Sequence, residues 1–257
     1  MRSINIGYHI LKKDFHLINL SIIIPCYNES KSLPRLLDAC YVACKGRSDI
    51  QFVFVNNGSN DDTQIVLEQL LCLEKYSFGK SILVPFNKGY GFGILQGLHI
   101  ADGQILSWTH ADLQTDPNDV ISAYDHYRLE LENNFCIVKG ERKKRKLFDN
   151  IFTAGMSILC SILLKQKLWD INAQPKIFNH IFLSNLKNAP FDFSLDLYFL
   201  FVANRLEYSI NTFPVNFSNR KFGEAKGGGT MKGKLKLVKR TLNYVIELRN
   251  DIKKGNR

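Results

Sequence analysis

The sequence predicts an α/β fold in which a mainly parallel sheet is flanked by helices. Two observations carry that expectation. Short apolar runs alternate with helix-spaced segments from Leu20 to Lys139, the pattern of successive βαβ units. The runs also end in polar loops marked by proline, asparagine or glycine, and ligands of parallel sheets gather beyond the carboxyl ends of the strands. With 257 residues and 45% hydrophobic content, the chain can bury a sizeable core.

The elements follow in order. Leu20 to Pro25 is a short apolar run closed by proline, which reads as a buried strand. Ser32 to Ala43 has helical spacing, with Leu33, Leu36, Leu37 and Cys40 on one face. Ile50 to Val55 is a second strand, ended by the turn Asn56-Asn57-Gly58. Asp61 or Asp62 then caps a helix containing Ile65, Val66, Leu70 and Leu71. Ser81 to Pro85 is a third strand, and a glycine-punctuated helix runs from Gly91 to Ala101. Gln104 to Thr109 is a fourth strand. Asp116 and Pro117 are the N-cap and first residue of the next helix, and Phe135 to Lys139 is a fifth strand.

Beyond Lys139 the pattern loosens. Ile151 to Leu164 is uncharged but too short to span a membrane. It reads as a buried core helix, with a helix lying in a membrane interface as the alternative. Lys226 to Lys234 is the best linker. After it, Leu235, Val238, Leu242 and Val245 mark an amphipathic basic helix. The expected organisation is an N-terminal extension (1–18), one domain (19–226) and a linker with its helix (227–257).

The net charge of +10 is uneven: the last 39 residues hold twelve Lys/Arg against three Asp/Glu. Arg142 to Lys146 is a second basic block, five residues in a row. Such patches attract anionic lipid or phosphorylated substrates. No recognition motif or aromatic platform accompanies them, so nucleic acid is not the expected partner. Six cysteines without a CxxC pair suit reduced thiols in a cytosolic protein. Lys12, Lys13 and Asp14 interrupt any leader-like apolar stretch, so no secretory signal is expected.

Four unusual loops fall at strand ends: 26–29, 56–62, 87–91 and 110–116. In the last, His110, Asp112 and Gln114 stand at i, i+2 and i+4. An extended backbone would aim all three one way, as a candidate cation site. The glycines Gly89, Gly91, Gly93 and Gly97 do not make a dinucleotide fingerprint, but they permit close approach to a ligand, with Lys88 beside them as a phosphate partner.

These loops carry a resemblance. SIIIPCYNES, FVFVNNGSNDDT, NKGYGFGILQGLHIADGQIL and HADLQTDP resemble family 2 glycosyltransferases of the GT-A fold, whose Rossmann-like sheet is mainly parallel. More narrowly they are similar to the polyprenyl-phosphate sugar transferases, the dolichyl-phosphate mannose synthase group. The resemblance runs from about Leu20 to Lys226. It implies that Pro25, Tyr27, Asn28 and Glu29 line a nucleotide pocket and that Asn56, Asn57, Gly58 and Ser59 hold base and ribose; the glycine-rich stretch adds Lys88 and Gly89 as donor-binding candidates. It implies that His110, Asp112 and Gln114 bind a divalent cation, and that Arg142, Arg220, Gly223 and Lys226 help hold phosphates.

The sequence departs from the family pattern where Asn56, Asn57 and His110 replace carboxylates. Asparagine still hydrogen-bonds a base and ribose. A neutral imidazole suits manganese better than magnesium.

The implied activity is inverting transfer from a nucleotide sugar to a polyprenyl phosphate or lipid-linked glycan, with Asp112 acting through the cation. A lipid phosphate needs no general base. A sugar hydroxyl would, and Asp170 is the first candidate, with Asp192 and Asp196 behind it. The missing carboxylates leave open a nucleotide-binding relative without turnover, serving as a scaffold. The basic C-terminal helix and the apolar 151–164 segment imply peripheral attachment to the anionic inner face of a membrane.

Overall fold

The structure is a computed structural model and describes residues 18–133, 135–143, 147–216 and 231–254. Its strands are β1 (Leu20–Cys26), β2 (Ile50–Asn57), β3 (Gly79–Val84), β4 (Ile105–Trp108), β5 (Cys136–Lys143), β6 (Lys176–Asn179) and β7 (Ser209–Asn216). They form one sheet in the order β3-β2-β1-β4-β6-β5-β7. Only β6 runs against its neighbours. The helices are α1 (Leu33–Cys44), α2 (Thr63–Leu71), α3 (Tyr90–His99), α4 (Pro117–His126), α5 (Arg128–Glu132), α6 (Leu147–Leu164), α7 (Leu195–Arg205) and α8 (Met231–Lys253).

β1 and β2 are apolar on both faces because both faces are covered. Successive side chains part company. Ile22, Ile24, Phe52 and Phe54 enter one core cluster with Leu33, Leu36 and Leu37 of α1. Ile23, Val53 and Val55 enter the other with Ile94 of α3 and Phe199 of α7. Trp108 ends β4 fully buried in this second cluster, edge-on to Phe178 and Phe199.

Several expectations hold. Asp116 caps α4, its carboxylate accepting from Asn118 N at 2.8 Å, with Pro117 as the first helical residue. All six cysteines are free thiols. The fifth strand is longer than expected and runs on to Lys143, which carries Arg142 to its end.

One local expectation fails. The segment after β4 is not extended: Leu113 takes a left-handed φ of 54°, and Asp112 Oδ1 accepts from Gln114 N at 3.1 Å. A short polar side chain that bonds its own backbone two residues on closes a turn. His110, Asp112 and Gln114 therefore do not share a face by strand alternation.

Because β6 is reversed, its N-terminal end meets the carboxyl ends of the other six strands at one edge. The chain leading into β6 thereby joins the loops leaving β1 to β5.

Candidate functional site

The loops on this edge are bound to one another. Asn28 N donates to Ser59 Oγ at 3.0 Å, and Asn60 N donates to Asn28 Oδ1 at 2.8 Å. Glu29 Oε2 accepts from Ser32 Oγ at 2.6 Å, while Glu29 N donates to Thr63 Oγ1 at 2.9 Å. Pro25 lies opposite Val55 at the end of β1, and half-buried Tyr27 begins the loop. Asn56 serves its own turn: Oδ1 accepts from Ser59 N at 3.0 Å and Nδ2 donates to Gln64 Oε1 at 2.9 Å.

Asn57 reaches the next loop, its Nδ2 donating to Gly89 O at 2.9 Å. Its Oδ1 is buried and has no hydrogen-bond partner among the described residues, so one acceptor at this edge is left for a ligand or a water. Gly89 has φ 122°, and a Cβ there would come within 2.2 Å of Phe191 O. No other residue fits that approach of the 188–193 segment to the start of α3.

Beneath the rim lies a charged network. Lys176 is wholly buried. Its Nζ donates to Ala173 O at 2.6 Å and Ile171 O at 2.9 Å, and lies 3.2 Å from Asp196 Oδ1. That carboxylate also receives Gln174 Nε2 at 2.8 Å and Trp108 Nε1 at 3.3 Å. Gln174 Nε2 in turn reaches the Tyr90 hydroxyl at 3.2 Å. The Tyr90 ring stacks on Phe193, 4.7 Å between centroids and 10° from parallel, and stands 5.9 Å from the His110 ring. Burial lowers the His110 pKa below its ordinary 6.5 despite the nearby Asp112 and Asp196 charges. The imidazole is thus neutral at physiological pH, the form able to ligate a metal.

Asp170 faces Arg142. The guanidinium holds both carboxylate oxygens, with Nε donating to Oδ1 at 3.0 Å. Burial alone would raise the Asp170 pKa, but Arg142 outweighs it and the carboxyl lies below its usual 3.8. A carboxylate so stabilised is a weak proton acceptor. Asp196 is committed to Lys176, and Asp192 accepts from Ser194 N at 2.8 Å while pairing with Arg240 at 3.1 Å.

Lys88 places Nζ 5.0 Å from the Phe92 ring. It lines a cavity of about 450 Å³ with Phe191, Asp192, Arg240 and Tyr244. Arg220, Gly223 and Lys226 lie outside the described residues. Among the described residues, no three His, Cys, Asp or Glu side chains converge as a metal cage.

Residues 21–181 match the family described as glycosyl transferase family 2. The chain belongs to glycosyl transferase family 2.

Its curated relatives within family 2 include an undecaprenyl-phosphate 4-deoxy-4-formamido-L-arabinose transferase of Proteus mirabilis, 34% identical over 110 residues, or 41% of this chain and 33% of that one. The Salmonella choleraesuis protein of the same description is 23% identical over 212 residues, 80% of this chain and 62% of that one. The chain thus matches between a third and just under two thirds of these relatives' length.

Among solved structures, glucosyl-3-phosphoglycerate synthase from Mycobacterium tuberculosis in complex with Mn2+, UDP-glucose and phosphoglyceric acid superposes with a TM-score of 0.66 at 17% identity. The match covers 90% of this chain and 79% of that one. Its complex with UDP gives 0.67 at 17% identity, covering 90% and 80%. At such identities the likeness concerns the fold, and it is the expected GT-A fold.

The family 2 motifs named the loops but not the network under them. Tyr90, Gln174, Lys139 and Lys176 escaped the sequence reading. The available signal was a lysine adjoining a short apolar run, twice, in CIVK and KIFN. Strand order then sets Lys139 directly opposite Lys176.

Proposed function

We propose that this chain is an inverting glycosyltransferase that moves a sugar from a nucleotide-sugar donor to a polyprenyl phosphate or lipid-linked glycan, in the synthesis of cell-surface glycoconjugates. The observation that carries the reading is the convergence at one edge of the loops bearing Tyr27, Asn57, Gly89, Asp112 and Arg142, in a chain with family 2 motifs. The activity by which the curated relatives are described supports the acceptor class.

In this reading Pro25, Tyr27, Glu29, Asn56 and Asn57 shape the nucleotide pocket, and the free Asn57 Oδ1 is an acceptor for the donor. Lys88 and Gly89 face the phosphates. Arg142, held in place by Asp170, meets either the diphosphate or the acceptor phosphate, and Arg220 and Lys226 are assigned to phosphates on the resemblance alone. Asp170 is then a positioning residue. A lipid-phosphate acceptor is already an anion, so transfer to it requires no base.

A divalent cation, Mn2+ or Mg2+, fits this donor set: neutral His110, Asp112 and the Gln114 amide would hold it through one imidazole and two oxygen groups. When bound, such an ion neutralises charge that develops on the departing nucleoside diphosphate. We place the protein at the cytoplasmic face of a membrane, held peripherally. No helix among the described residues is long and apolar enough to cross one.

The test is transfer from a panel of radiolabelled nucleotide sugars to undecaprenyl phosphate, with Mn2+, Mg2+ or chelator. Asp112→Ala should lower kcat/KM at least about 100-fold while donor still raises the melting temperature. A donor that shifts melting but is never turned over would favour the scaffold reading. Undiminished transfer in excess chelator would remove the cation.

A further inference from the structure

Four planar groups stand in a column between α8 and the loop after β4. The Arg240 guanidinium of α8 lies 5.0 Å from the centre of the Phe193 ring. Phe193 stacks on Tyr90 at 4.7 Å, 10° from parallel. Tyr90, the first residue of α3, meets the His110 imidazole at 5.9 Å and a tilt of 34°. The column thus joins the last helix of the chain to a residue of the candidate cation site.

The segment carrying Phe193 is gripped from two sides. On the α3 side, Phe92 N donates to Phe191 O at 3.0 Å, and the backbone oxygens of Pro190, Phe191 and Asp192 crowd Gly89 and Gly91 so closely that a Cβ on either would collide. On the α8 side, Arg240 Nε lies 3.1 Å from Asp192 Oδ2. That nitrogen is buried and out of line for a hydrogen bond, so the tie is the attraction of opposite charges. The cavity lined by Lys88, Phe191, Asp192 and Arg240 borders the segment and gives it room to shift once Arg240 lets go.

Arg240 is not what docks α8. Val245 and Leu248, fully buried in the core, do that. An ion pair whose side chains are 41% and 34% exposed adds little to stability. What Arg240 supplies instead is a cation over the outermost ring of the column, where the ring face attracts positive charge.

We infer that Arg240 is a positioning residue: by fixing the Phe193 ring it sets Tyr90 against His110, and so couples the docking of α8 to the geometry of the candidate cation site. Tyr90 is anchored at its far end by Gln174, whose Nε2 lies 3.2 Å from the hydroxyl. The freedom left to the ring is a tilt about that anchor, and Phe193 is the surface that limits it. A ligating imidazole must be held in one orientation, and the groups behind it tune affinity for the ion. The consequence for transfer rests on the proposed role of His110; the column itself does not.

The experiment follows the His110 imidazole by NMR in the metal-free full chain, its signal among six histidines identified by its loss in His110→Gln. Arg240→Gln keeps a polar side chain and a good helix former but removes the charge. We expect the melting temperature to hold and the His110 signal to move, because the ring current of Tyr90 moves with its ring. Asn243→Ala, at an exposed position nearly a turn on and beside the same cavity, should leave the signal in place. Phe193→Leu should shift the signal too, and adding Arg240→Gln to it should change nothing further, since the cation then has no ring to act on. In transfer assays Arg240→Gln should raise the Mn2+ needed for half-maximal rate about tenfold while kcat at saturating Mn2+ is kept. An unmoved His110 signal in Arg240→Gln, an equal shift in Asn243→Ala, or additive shifts in the double variant would each overturn the proposal. A moved signal in a protein whose transfer needs no Mn2+ would count against the cation reading alone.

Discussion

Lys139 shows what a single buried cation does to this molecule. Among the described residues, its Nζ donates to the Gly140 and Asp170 carbonyl oxygens, each at 3.3 Å. Burial, aided by neighbouring Lys176, pushes its pKa from 10.5 down to about 8. In the unfolded chain the same amine stays protonated to its ordinary value. The unfolded state therefore binds more protons above pH 8, and stability rises with pH, by up to about 1 kcal/mol per unit.

Burial of Lys176 acts in the same direction. Above pH 9 this rise is opposed, because burial holds the Cys160 and Cys44 thiols protonated up to about 11 and 12. Urea midpoints between pH 8 and 9 should increase, and Lys139→Met should flatten the increase. His110 follows the same logic at its acid end: with its pKa lowered by burial, the unfolded chain binds the proton first, so stability falls as pH drops below 6.5.

At the scale of elements, the start of α3 is held by Gly89. With φ 122° and Phe191 O at 2.2 Å from an added Cβ, Gly89→Ala should cost about 2 kcal/mol or more. Thermal melting checks it, and donor binding should weaken with it because Asn57 bonds the Gly89 carbonyl. The first five strands were legible because each contains a short apolar run, and the Asp116 cap was legible because its carboxylate needs only local geometry. β6 was not legible. It has four residues, begins with a lysine and follows a proline, which reads as loop unless the buried Asp196 partner is known. β7 hid for a different reason: most of its side chains are exposed or half-exposed, so no apolar run announces it. The turn at Asp112 was misjudged because a side chain bonding its own backbone competes with an extended path. The Arg142–Asp170 pair joins residues 28 positions apart, and no local pattern encodes such a meeting.

At the scale of the molecule, α8 closes the larger core cluster. Val245 and Leu248 are fully buried there, beside core residues of α6 and α7. Leu248→Ala should therefore cost about 3 kcal/mol, seen as a lower urea midpoint, although the residue is far from the rim in sequence. The reversed strand carries a consequence for the order of assembly. β5 has no place beside β4, since β6 must come between them, and β6 is complete only at Asn179. A growing chain released from the ribosome residue by residue would hold β5 and the oily α6 in waiting, with the β4 margin unpaired, until that short plug arrives. Newly made copies are at their most adhesive in that interval, and a chaperone or a nearby lipid surface would have the most to shield.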